Sequence, residues 1–361
     1  MQHKPLQHAL KSHFNLDPRR TDFIAAFVLA LLKVRTVNLT QIGTALNGLV
    51  QPASNARRSK RFLEHDLSQE LIARFILSFI DRQQLVLVID RTNWKFGKTF
   101  LLIRQHLAGY SRSINFLVIA VAFGGIAIPV TWKNLGKDGN SNQSERKTIL
   151  GKLLKIIPAQ RILALTADRE FIGVDWFKAL FEQEVNPVIR LKLDTMIQHR
   201  TRKAPASAWF DHLKPGETLE LCKARVMGVR VFVLATLTPE GEFLILATRK
   251  RPSRALAIYA QRWEIETLFA ALKTRGFNLE DTHVTNLERS ERLFALLVIA
   301  LAWVVLVGEF VVSSRRLELK NHGSPERSVF RVGLDCLRQI LLSGRSGKFV
   351  LDDMIPLLSS S

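Results

Sequence analysis

Two aspartates close short apolar runs of the kind that form buried strands. Asp90 follows Leu85-Val86-Leu87-Val88-Ile89, and Asp168 follows Ile162 to Ala167. Continuous aliphatic and β-branched runs of this length suit strands covered on both faces. A third carboxylate, Glu266, lies in Ile258-Tyr259-Ala260-Gln261-Arg262-Trp263-Glu264-Ile265-Glu266, a stretch that runs on to Lys273. Ser253 after Pro252 offers an N-cap, so the stretch is expected to be helical. At about 100° per residue, with Tyr259 at zero, Arg262 falls at about −60°, Glu266 at about −20° and Lys273 at about −40°. These four share one stripe, Ile265, Leu268, Phe269 and Leu272 supply a core face, and Glu264 falls well off the stripe. The wheel selects Glu266 over Glu264.

Three clustered carboxylates suit two Mg²⁺ ions (or Mn²⁺ in their place) about 4 Å apart, an arrangement for in-line attack on a phosphodiester. Without a cation such acids repel one another. Each acid alone has a plainer reading. An aspartate at a strand end starts a turn, and a glutamate between Arg and Lys on a helix makes a surface salt-bridge row.

The charge balance bears on the choice. The 361 residues carry 52 Lys and Arg against 32 Asp and Glu, a formal net charge of +20. Such a chain is drawn to polyanions through counterion release. DNA, RNA and anionic membrane surfaces all qualify on charge alone, as does a ribosomal-type basic protein. Cys222 and Cys336 form no CxxC pair and no zinc spacing, so a reducing, cytoplasmic setting is expected. The start of the chain has no signal-peptide core. Leu293 to Val307 is nearly uninterrupted apolar but shorter than the roughly 20 residues of a spanning helix; it is expected to be a buried core helix, with no membrane partner. There is no P-loop, GxGxxG or HExxH, so no nucleotide cofactor or zinc is expected.

The elements that must position the acids divide the chain. Residues 1–80 read as helices, among them Phe23 to Leu32, a short one through Ile42, Ala45 and Leu46 ending at Gly48, and Ala53 to His65 with Arg57, Arg58, Lys60 and Arg61 on it. A basic third helix suits a small DNA-binding unit of helix-turn-helix type, or a solvated helical cap. Residues 81–193 read as the first part of a mixed α/β core, with strands at Leu85–Ile89, Phe100–Ile103, Phe116–Phe123, Arg161–Thr166 and Pro187–Leu191 and helices near 146–157 and 175–184. Residues 194–250 read as a β-strand insertion, 251–315 as the second part of the core with the Glu helix, and 316–361 as a helical C-terminal region. Arg249, Lys250, Arg251 and Arg254 lead into the Glu helix and suit a phosphate backbone or a solvated charge run. Glu170 and Asp175 are expected to point away from Asp168, and Trp94 either approaches DNA or packs.

The spacing Tyr259, Arg262, Glu266, Lys273 resembles the Y-R-E-K signature of the insertion-sequence-four family of DDE transposases. Ile89-Asp90-Arg91-Thr92-Asn93-Trp94 and Asp168-Arg169-Glu170-Phe171-Ile172-Gly173 resemble that family's first and second aspartate blocks, and the likeness runs from about residue 35 to 310. The resemblance implies a ribonuclease-H-like core interrupted by the β insertion. It implies metal ligation and catalysis by Asp90, Asp168 and Glu266, and phosphate contacts by Tyr259, Arg262 and Lys273. It further implies cleavage at transposon ends, strand transfer into target DNA, a homodimer in the synaptic complex, and action in the cytoplasm at the nucleoid. The rivals are a two-metal nuclease that does not join DNA and a non-catalytic DNA-binding protein descended from a transposase.

Overall fold

The computed structural model describes residues 3–46, 50–95, 113–250, 252–314 and 327–359. The expected strand at Phe100–Ile103, the helix end at Gly48 and the basic Arg251 lie outside the described residues.

Five helices come first: α1 His3–His13, α2 Pro18–Val34, α3 Leu39–Leu46, α4 Pro52–Phe62 and α5 Gln69–Ser78. The Asp17 carboxylate accepts from the Arg19 backbone N–H to start α2, and Arg35 ends it in the left-handed region at φ 57°. Between them Phe23 to Leu32 is almost wholly buried apolar surface, except that Ala26 is only partly covered. α3 and α4 cross closely. A Cβ on Gly43 would stand 2.5 Å from the Pro52 carbonyl oxygen, and Asn55 Nδ2 donates to Gly43 O at 3.0 Å.

The chain then forms β1 Leu85–Lys95, β2 Ser113–Phe123, β3 Ile126–Asn134, α6 Gln143–Leu154, β4 Ile162–Ala167, α7 Val174–Glu182 and β5 Pro187–Arg190. A capping box between Asn142 and Glu145 starts α6. β1, β2 and β3 are antiparallel neighbours, whereas β1–β4 and β4–β5 are parallel. Pro129 sits in β3, the edge strand, where a missing N–H costs least.

The stretch after residue 194 builds β6 Met196–His199, β7 Arg202–Pro205, β8 Thr218–Val226, β9 Val229–Leu237 and β10 Phe243–Thr248. These do not stack as a second layer. β10 pairs antiparallel with β5 through Leu246↔Arg190, Ala247↔Ile189 and Thr248↔Val188. Among the described residues one mixed sheet of ten strands results, in the order β3-β2-β1-β4-β5-β10-β9-β8-β6-β7.

The expected single Glu helix is two, α8 Ala255–Ala260 and α9 Trp263–Leu272. At the joint, Gln261 N bonds Ile258 O and Arg262 N bonds Tyr259 O, i→i−3 contacts that tighten the turn and shift the angular phase. The wheel drawn through Tyr259 and Glu266 as one helix is therefore incorrect, and Pro252–Arg254 is a 3-10 turn instead of a simple cap. The longest helix, α10 Leu287–Ser314, has an 18-residue window of mean hydropathy 2.7. By length and composition it is long enough to cross a membrane, yet 78% of that window is buried inside the protein. It packs on β3, α2, α5 and α11 Val329–Ser343.

Candidate active site

The ladder between β1 and β4 ends at Ile89↔Ala167. Asp90 and Asp168 are the next residue on each strand. In-register residues of parallel strands point to the same side, so both carboxyls leave the sheet together, where the parallel pairing ends toward the carboxyl side of the ladder. Asp168 stays extended (φ −76°, ψ 171°) and starts the turn Arg169–Phe171. β1 does not stop at Ile89 as the apolar run suggested; it continues to Lys95 because β2 remains paired beside it.

The joint between α8 and α9 supplies the other groups. Tyr259 donates its hydroxyl to Asp168 Oδ1 at 3.4 Å. Arg262 lies with Nη1 3.9 Å from Asp90 Oδ2 and Nη2 2.9 Å from Glu266 Oε1. Its guanidinium also lies over the rings of Tyr259 and Trp263, and its Nε is buried with no hydrogen-bond partner. Trp263 is 62% exposed. Glu264 is used elsewhere: its Oε2 accepts from Phe123 N at 2.5 Å, fastening α9 to the β2–β3 turn.

Burial pushes the Asp90 carboxyl up to about 6; the Arg91 backbone N–H lowers it, Glu170 raises it, Arg262 lowers it and Asp168 raises it. The folded carboxyl thus keeps a proton that the unfolded chain releases near 3.8, and stability falls as pH rises through that window. With a chelator present, Asp90→Asn should be more stable than wild type above pH 7, by up to about 3 kcal/mol. The gap should close toward pH 4. Urea titrations of both proteins across this range measure it, and a gap independent of pH would refute the shift.

Glu170 is part of this arrangement, against expectation. Its two oxygens take Arg91 Nε and Nη2, each at 3.3 Å. Arg91 also reaches Asn115 and Asn140, and Asn115 holds the carbonyls of Lys137 and Gly139. Behind the turn, the buried Arg146 donates to Ser141 Oγ, Ser141 O, Glu170 O and Ile172 O, and stacks over Phe171. One buried guanidinium thus fixes the turn that carries Asp168. Arg146→Lys keeps the charge but not the fork. It should cost about 2 kcal/mol in urea unfolding, whereas an unchanged midpoint would show that the turn holds without it.

The expected DNA-contact residues fare differently. Arg57, Arg58, Lys60 and Arg61 are all exposed on α4, although Arg58 leans on Phe23 and toward Asp22. Lys250 and Arg254 are exposed. Arg249 is held by its own fold. It donates to Phe181 O at 3.0 Å and packs over the Phe181 ring. Lys273 is tied to the far end of β1, bonding Asn93 O at 3.0 Å and Glu280 at 3.1 Å above the Trp94 ring; Trp94 itself is buried. Among the described residues no group of three His, Cys, Asp or Glu is drawn together tightly enough to hold a metal ion. The physical reason is visible in Arg262, a cation standing between Asp90 and Glu266 where acids alone would repel. The donors otherwise fit a divalent ion: they are hard carboxylate oxygens, and the burial around Asp90 already disfavours a bare charge there.

The family model of the transposase DDE domain matches residues 81–303. The chain belongs to that family. The match starts just before β1 and ends within α10, so the DDE domain contains both aspartate strands, the β-rich stretch and the α8–α9 joint. No curated protein matches the chain. Among solved structures, the chain is similar to a cryo-EM structure of a piggyBac transposase synaptic complex with hairpin DNA. Identity is 12%, over 89% of this chain and 71% of that one, with a TM-score of 0.45. That likeness is too loose to carry an argument.

Proposed function

We propose that this DDE transposase domain cuts DNA at the ends of a mobile element and joins the freed 3′-OH to target DNA, using Asp90, Asp168 and Glu266. The observation that carries the proposal is the pair of aspartates one residue past the last rung of the β1–β4 ladder, on one side of the sheet, with Glu266 linked to Asp90 through Arg262. Two bound Mg²⁺ ions would supply the activated water and neutralise charge on the in-line phosphorus centre. The chain's own part is to place its oxygens and to hold phosphate. Arg262 would exchange Glu266 and Asp90 for a DNA phosphate, which also answers its orphaned Nε. Tyr259 would orient Asp168. In this reading the Y-R-E-K spacing and the insertion-sequence-four assignment stand, the sheet is a ribonuclease-H-like core carrying a β insertion at 194–250, and a homodimer pairs two ends.

The test is cleavage of a labelled duplex bearing the element's own end, with Mg²⁺, with Mn²⁺ and with chelator. Metal-dependent nicking at the end followed by joining to a second duplex is the expected result. Nicking with free 3′ ends and no joining would reduce the reading to a nuclease. Tight binding without cleavage under any metal would leave only DNA binding.

A further inference from the structure

The strands β6, β7 and β8 present two unlike faces. On one, Ile197, Ala204, Ala224 and Val226 are buried. On the other, the register sets Lys203 of β7 beside Gln198 of β6, and Gln198 beside Arg225 of β8. Met196 lies two residues along on the same face, and Met227 lies in the turn just past β8. This face floors an open groove of about 600 Å³, whose walls add Lys192, Asp194 and Ile172. Ile172 closes the turn that Asp168 begins, so one wall of the groove lies four residues along the chain from that acid.

Lys192, Lys203 and Arg225 are exposed, and among the described residues none of their side chains is held in an ion pair. One acid, Asp194, faces three cations. Apolar side chains stand open beside them: Met196 is 45% exposed, and Met227 is partly so. Cations spaced along a groove with exposed apolar groups between them match a single nucleic-acid strand, whose phosphates and unstacked bases alternate; a duplex keeps its bases stacked inside.

We infer that this groove is a binding track for a single DNA strand running from the acid cluster, with Lys192, Lys203 and Arg225 on its phosphates and Met196 and Met227 against its bases. The inference rests on the DNA-cutting reading above, and its test reads binding alone. The full chain is titrated, with chelator, against a short labelled single strand of mixed sequence and against the duplex of the same sequence, over a range of salt.

Lys192→Ala/Lys203→Ala/Arg225→Ala should bind the single strand at least about 10-fold more weakly, with the salt slope reduced by about 2, and bind the duplex nearly as before. Lys192→Arg/Lys203→Arg/Arg225→Lys should bind like wild type. Single-strand affinity and slope unchanged in the alanine variant, with wild type binding well, would overturn the track and leave the DNA reading standing. Equal losses on both probes would overturn its preference for a single strand. A wild-type chain that binds neither probe would overturn both.

Discussion

Asp168→Asn and Glu266→Gln should each slow metal-dependent cleavage of the end duplex by at least about 10³-fold, about 4 kcal/mol of transition-state stabilisation. Binding of that duplex in chelator should change little. Such a loss follows because the acids would hold charge at the reacting phosphate, not grip the DNA. The informative control is Glu264→Gln, two residues from Glu266 on the same helix. Its carboxylate is committed to Phe123 N, so this variant should cleave near the wild-type rate while unfolding more easily. Single-turnover rates on purified proteins decide the matter. Retained cleavage in Asp168→Asn, with loss in Glu170→Gln, would move the second aspartate's role to Glu170, whose field already reaches Asp90.

Gly333→Leu should leave little folded chain, and Gly333→Ala should cost about 3 kcal/mol. α10 and α11 touch backbone to backbone. A Cβ on Gly333 would stand 1.9 Å from Val304 O, and one on Gly308 would stand 2.1 Å from Val329 O. Neither carbonyl can step aside without unwinding its helix. Gly151 on α6 is the contrast, with nothing within 4 Å of the added atom. There Gly→Ala should add up to about 1 kcal/mol through helix propensity. Urea unfolding of the alanine variants checks both signs, and a harmless Gly333→Ala would mean that the helices cross farther apart than described.

What could be read from the sequence was whatever one element specifies by itself. The runs before Asp90 and Asp168, and the apolar stretch Leu293–Val307, announce buried elements because burial on every side demands continuous apolar residues. What escaped depends on partners distant in sequence. Asp90-Arg91-Thr92-Asn93 is too polar to suggest a strand, yet it remains one because β2 pairs with it throughout. The α8–α9 joint is a turn within a favourable helical sequence, so no Gly or Pro marks it. Nothing in their sequence neighbourhoods marks Arg146 and Glu170 as partners, and only the folded turn sets the Arg146 guanidinium on the Glu170 carbonyl. Tyr259, Arg262 and Glu266 do not share one helical stripe, yet the turn sets Tyr259 on Asp168, Arg262 beside Asp90 and Glu266 on Arg262.

The β1–β4 ladder has one consequence beyond closing the core: it is a ruler. Adjacent strands stand about 4.8 Å apart whatever side chains they carry, and Asp90 and Asp168 leave the sheet one step past the last rung. The span between their backbones is therefore set by peptide geometry, the least mutable dimension a protein has. Exchanging loops around the site can alter what enters it, but that gauge changes only if the ladder itself is unzipped.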